Sequence, residues 1–191
     1  MKVREVAQHD EATVRGILDA IDRSEHIDVQ YAVVDSELVT RPVVMADVPT
    51  WLPGDGPHSV GELTAFACSA LDRGGVLLVA EVDGGTAGVA IVVPDFEPPM
   101  AWLALLHVSR QYRRHGAASA LHERMVSLAV GAGATSMYVS ATSTGSAVGF
   151  YRSRGFRLAR PPHPELFALE PVDIHLVLDL TTSHVDEGAQ P

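Results

Sequence analysis

Three apolar runs between residues 76 and 108 constrain this chain more than any other feature. They are VLLVAEV (76–82), TAGVAIVV (86–93) and MAWLALLHV (100–108). Each has the length of a strand, and Asp83-Gly84-Gly85 between the first two is a strong hairpin signal. The third run is almost wholly apolar, so it suits the middle of a sheet covered on both faces. A sheet of this kind needs helices to cover it, and the remaining sequence supplies them.

Helical spacing runs through DEATVRGILDAID (10–22), with Val14, Ile17, Leu18 and Ile21 on one side. It recurs in SVGELTAFACSALDR (59–73), which stops at Gly74-Gly75, and over 115–131, where Ala118, Leu121, Met125 and Leu128 share a face. Further strands are expected at 2–6, 135–142, 156–159 and 174–180, with a short helix over 145–154. Residues 23–58 are mixed, with prolines at 42, 49, 53 and 57. Such an irregular stretch inside a domain is more often a functional loop than a linker. The order gives an α+β fold, a mixed sheet flanked by helices. One domain is expected over 1–181, followed by a frayed tail at 182–191.

The charge balance narrows the partners. Twenty-four acidic and 14 basic residues leave a net charge of −10, which opposes nucleic acid and anionic lipid surfaces and favours a cationic small molecule. The lone Cys68 excludes an internal disulfide and a cysteine metal cluster; its place on an apolar helix face suggests a buried, inert thiol. No metal site is expected. No apolar segment reaches the ~20 residues needed to cross a bilayer, and the N-terminus lacks a signal core, so a cytoplasmic location is expected.

The most suggestive chemistry lies in YRRHGAASAL (112–121), directly after the third apolar run. A helix beginning here offers free N–H groups and a partial positive charge. Gly116, Ala117 and Ala118 let an anion approach the backbone, while Arg113, Arg114 and His115 add donors. From these ten residues alone, an anion site and a plain solvated helix start both remain open. The unit Arg113-Arg114-His115-Gly116-Ala117-Ala118 resembles the pyrophosphate signature of the GNAT superfamily of acyl-CoA-dependent N-acyltransferases. GSAVGFYRSRGF (145–156) resembles that family's second motif, a helix with Ala-x-x-Phe-Tyr running into Gly-Phe, and the strand order over 2–180 is similar too. IDRSE (21–25), LLHVS (105–109), YVSAT (138–142) and PELFALEPVDIHL (164–176) resemble a set found in bacterial members.

The resemblance implies a GNAT-like, mostly antiparallel central sheet in which two parallel strands splay at the cofactor cleft. Acetyl-CoA would lie there as a cosubstrate, its amides pairing with main-chain groups of Leu106, His107 and Val108 beside a β-bulge. The Val108 N–H would face the thioester carbonyl. Tyr151 matches the general acid that protonates the leaving sulfur. Thr144 stands where relatives often carry a cofactor-binding asparagine, and its hydroxyl could equally cap the helix that follows. The implied activity is acetyl transfer to a primary amine of a small molecule by direct attack. A degenerate acyl-CoA-binding sensor or assembly protein is the alternative, because the strand positions where relatives hold a base carry Trp102 and Ala104. His107, Asp22, Glu25, Asp95, His163 and Glu165 are the other candidates for that base. Glu25, Tyr31 and Glu165 are expected to touch the acceptor, with Glu170 among the acids that would draw in a cation. Family members are often dimers, so a homodimer is an assembly the resemblance allows.

Overall fold

The computed structural model describes residues 1–7, 10–44, 46–56 and 58–181; the tail expected at 182–191 lies outside them. In chain order the first elements are β1 (Lys2–Glu5), α1 (Glu11–Asp19), β2 (Glu25–His26), β3 (Gln30–Val34), β4 (Glu37–Arg41), β5 (Asp47–Val48) and α2 (Val60–Asp72). The central strands follow: β6 (Val76–Val82), β7 (Gly85–Glu97) and β8 (Met100–Val108). Then come α3 (Ala117–Gly131), β9 (Ser136–Ala141), α4 (Gly145–Ser153), β10 (Arg157–Leu158), α5 (Pro164–Leu169) and β11 (Ile174–Asp179).

Seven strands form one sheet in the order β1-β6-β7-β8-β9-β11-β10. Every pairing in it is antiparallel except β8 with β9. The expected hairpin closes through Asp83 (φ 50°) and Gly84 (φ 80°), the doubly left-handed turn that suits the twist of paired strands. Asp35 (φ 50°) and Ser36 (φ 65°) repeat it between β3 and β4, inside the stretch that the sequence marks only as irregular. β7 also outruns its expected end at 93 and continues through Pro94 to Glu97, which pairs with Met100 across Pro98-Pro99.

Helices cover both faces. On one, α3 and α4 bury Ala117, Leu121, Met125, Ala129, Val148 and Tyr151 against Leu78, Ala90, Leu103 and Val139. The buried stripe of α3 is therefore turned from the expected one, with Ala117 and Ala129 inward in place of Ala118 and Leu128. On the other face, α1 and α2 bury Val14, Leu18, Ala67 and Leu71 against Leu77, Ile91 and Trp102. Cys68 is half-buried, less enclosed than expected, and desolvation pushes its thiol pKa up.

β8 changes phase midway. Ile91 lies opposite Leu105 and Val92 opposite Leu103, so Ala104 is an extra residue. Such a bulge lets neighbours on one strand share a face. Trp102, Ala104 and Leu105 all pack with the α1–α2 layer, whereas Leu103, Leu106 and Val108 pack with the α3–α4 layer.

Candidate active site

The parallel pairing of β8 and β9 runs from Met100↔Ser136 to Leu103↔Val139 and goes no further, so the strands diverge at the bulge. Past it, Ser109 N–H donates to the Ala87 carbonyl at 2.9 Å. In an antiparallel ladder bonded and non-bonded pairs alternate. That places His107↔Val89 and Leu105↔Ile91 in bonded pairs, and turns the main-chain groups of Leu106 and Val108 away from β7, toward the opened gap.

The gap leads into a cavity of about 930 Å³. Its walls include Trp102 to His107 from β8, Ser140 to Thr142 from the end of β9, Ala147 and Tyr151 from α4, and Phe66 and Arg73 from α2. Arg23 and Trp51 close one end: the guanidinium stacks over the indole at 4.1 Å, and the indole meets His107 edge-on at 5.1 Å. Arg23 Nε and Trp51 Nε1 are buried and have no partner among the described residues. Buried donors left this way are uncommon and point to a group that the cavity is shaped to receive.

Four titrating groups define the electrostatics. Burial and the charges of Arg23 and Arg113 push the His107 pKa down to about 4, so the ring is neutral at physiological pH. Burial, with Glu170 and Asp173 nearby, pushes the Tyr151 phenol up, so it keeps its proton. Burial and the charge of Asp173 raise Glu170 to about 7 against a pull from a Ser140 hydrogen bond, and burial raises Asp173 to about 6.

At the basic turn Arg114 and Gly116 have positive φ, 62° and 86°, which folds the chain sharply into α3. No side chain caps that helix among the described residues, so its first N–H groups are free for an anion. Arg113 is committed elsewhere. Its guanidinium donates to the carbonyls of Val108 (3.2 Å), Ser24 (3.0 Å) and Arg23 (2.9 Å). Arg114 and His115 remain exposed, and the His115 ring bonds the Arg113 carbonyl at 2.8 Å.

Residues 44–156 match the model of the acetyltransferase (GNAT) family. The chain belongs to that family. No curated protein sequence matches it. Among solved structures, nourseothricin acetyltransferase superposes with a TM-score of 0.61 at 19% identity, covering 92% of this chain and 95% of its own. An N-acetyltransferase from Staphylococcus aureus Mu50 gives 0.56 at 16%, covering 94% and 98%. The yncA protein of Salmonella typhimurium, solved with its cofactor acetyl-CoA, gives 0.54 at 16%, covering 100% and 97%. At these identities the likeness is one of fold. The GNAT assignment makes this chain an acetyltransferase.

In this GNAT enzyme Leu106, His107, Ala147 and Tyr151 meet at the cavity, and Glu165 joins its rim in an ion pair with Arg73 at 2.6 Å. Val108 ends β8 beside the turn bearing Arg113, Arg114, His115, Gly116, Ala117 and Ala118. Thr144 caps α4, accepting from the Ala147 N–H at 3.3 Å. Tyr31 lines a second cavity of about 630 Å³ under the β3–β4 hairpin, and Glu25 lines neither cavity. Of the other proposed bases, Asp22 accepts from the Ser24 N–H, Asp95 is exposed on β7, and His163 bonds Glu97 at 3.0 Å. Glu170 and Asp173 are the carboxylates that sequence reasoning undervalued. Their acidity was visible, but their enclosure beside Tyr151 depends on how α5 and β11 meet β9.

Proposed function

We propose that the chain acetylates a primary amine of a small, cationic molecule in the cytoplasm, by direct attack of the amine on acetyl-CoA. The observation that carries this reading is the opened gap between β8 and β9, which joins the main-chain groups of Leu106 and the N–H of Val108, all turned away from β7, to a cavity holding Tyr151, Glu170 and Asp173. The residues fit the donor: Leu106 and Val108 would hold its pantetheine arm, and the uncapped start of α3, with Arg114 and His115, its pyrophosphate. Acetyl-CoA supplies an activated acetyl thioester. The Val108 N–H is a donor available to its carbonyl oxygen. Tyr151 holds a proton at its phenol until a leaving sulfur needs one. A net charge of −10 with carboxylates lining the cavity favours a cationic acceptor over nucleic acid.

Isothermal titration with acetyl-CoA, followed by an amine panel scored for free thiol release, tests the reading. Micromolar binding at one site per chain with turnover of at least one small amine supports it. Absence of binding at millimolar acetyl-CoA refutes it.

A further inference from the structure

Direct attack requires a neutral amine, yet the β8 positions facing the cavity offer no carboxylate. Trp102 is buried between Phe66 and Phe96, and Ala104 is the bulge residue. His107 faces the Arg23–Trp51 end with two guanidinium groups acting on it. A group that must gain a proton is badly placed there.

The wall beside Tyr151 differs. Glu170 ends α5 and Asp173 immediately precedes β11. Because Ile174 pairs with Ala141, Asp173 sits level with Thr142, at the end of β9 that forms one lip of the gap. The Asp173 N–H donates to the Glu170 carbonyl at 3.1 Å, and His175 Nε2–H donates to the same oxygen at 3.1 Å. These bonds fix both acids without using their carboxylates. Neither takes part in a salt bridge among the described residues. The cavity's other acids are occupied: Glu62 accepts from the His58 N–H at 2.7 Å, and Glu165 is paired with Arg73. Two half-buried carboxylates without a cation, on the wall shared with Tyr151, form a place for one.

We propose that Glu170 takes the proton from the acceptor ammonium while Asp173 holds that ammonium beside it. The inference rests on the amine-acetylating function proposed above and names its proton acceptor. An ammonium sheds two protons in becoming an amide. The first passes to the Glu170 carboxylate before attack and leaves to solvent. The nitrogen lone pair then forms the C–N bond as the C–S bond breaks, Tyr151 protonates the sulfur, and the second nitrogen proton restores Tyr151. The groups facing Glu170 are Asp173 from its own loop, Tyr151 from α4, Ser140 from β9 and His175 from β11. Arg73, Glu62, His58, Arg23 and His107 lie on other walls of the cavity. His175 is kept neutral chiefly by burial, so it adds no positive charge at pH 7. The titration of Glu170 near neutrality suits a base working at that pH.

The test compares the wild type with Glu170→Gln, Glu170→Asp and Asp173→Asn, using acetyl-CoA with spermidine, a basic amine, and acetohydrazide, whose nitrogen is already neutral. Glu170→Gln is expected to lower kcat/KM for spermidine by about 100-fold or more at pH 7 and to remove the rise in rate through pH 7. It should change acetohydrazide turnover less than about threefold and leave acetyl-CoA binding by calorimetry unchanged. Equal losses for both amines, or no loss, overturn the proposal. Loss of acetyl-CoA binding by the wild type would instead sink the enzymatic reading itself. A second readout needs no turnover: carbon-13 titration of glutamate carboxyls in the wild type, with Glu170 assigned by its loss in Glu170→Asp. A midpoint near 7 that falls when spermidine is added supports the base, and an ordinary carboxylate midpoint refutes it whichever amines are used.

Discussion

Replacing Arg113 with lysine tests whether this arginine of the basic turn is a clamp or a phosphate ligand. Its three donors tie the end of β8 to the carbonyls of Arg23 and Ser24, far away in sequence. A lysine ammonium on that stem can reach one of these acceptors well, so two charge-assisted bonds are lost. Each is worth about 1.5 kcal/mol at the low end for bonds to a charged group, appropriate where water reaches part of the side chain. The cost is about 3 kcal/mol. In a chain of this size each kcal/mol lowers Tm by about 2–4 °C, so Arg113→Lys should melt about 6–12 °C below the wild type. Thermal unfolding followed by tryptophan fluorescence reports the change directly, since Trp51 stacks on the clamped Arg23. A loss of less than about 2 °C, with acetyl-CoA affinity falling tenfold or more, would show that the guanidinium serves the ligand and that the clamp is incidental.

Tyr151→Phe should reduce kcat about 100-fold while acetyl-CoA affinity by calorimetry stays within twofold; an unchanged kcat removes the phenol from the mechanism. Gly116→Glu should abolish measurable acetyl-CoA binding, because a carboxylate would stand at the helix start and the left-handed backbone itself costs about 1–2 kcal/mol. Thr144→Ala should cost about 1 kcal/mol, the worth of a helix cap, seen as a Tm lower by about 2–4 °C. Glu170 binds its proton more tightly folded than unfolded, its pKa rising from 4.5 to about 7. The stability it contributes is present below pH 4.5 and is lost as pH rises through 7. Glu170→Gln should therefore gain about 1–2 kcal/mol over the wild type at pH 8 relative to pH 4.5, allowing for screening at a half-buried site, measurable by urea unfolding at both pH values.

The strands that form the sheet's centre were legible because 76–82 and 100–108 must be buried on both faces, and Asp83-Gly84 turns in the way its sequence demands. The helix that brings Tyr151 to the cavity wall was legible through its motif. Helix α5 was not: at six residues with a proline at its start, it is too short to show a helical period. The end of β7 was obscured by Pro94, which reads as a loop until its strand position is known. The hold on Arg113 was not legible, because two of the three carbonyls it donates to come from residues 23 and 24, a tertiary fact that no local pattern carries. Glu170 looked like any surface acid, and only the approach of β11 to β9 encloses it.

The bulge at Ala104 means that β8 is read in two frames spliced at one residue. Before the splice, even-numbered positions face α2; after it, odd-numbered positions do. An in-frame deletion of Ala104 would bring Leu103 and Leu105, which already face opposite layers, into plain alternation, so every other side chain of β8 would keep its layer and only the kink where β8 parts from β9 would be lost. Insertions and deletions are usually absorbed by loops, but here a strand absorbs one, since the residue at 104 can come or go without changing any pairing downstream of it. A relative without the extra residue must therefore be aligned with a gap at 104, since an ungapped alignment would equate positions that face opposite layers of the protein.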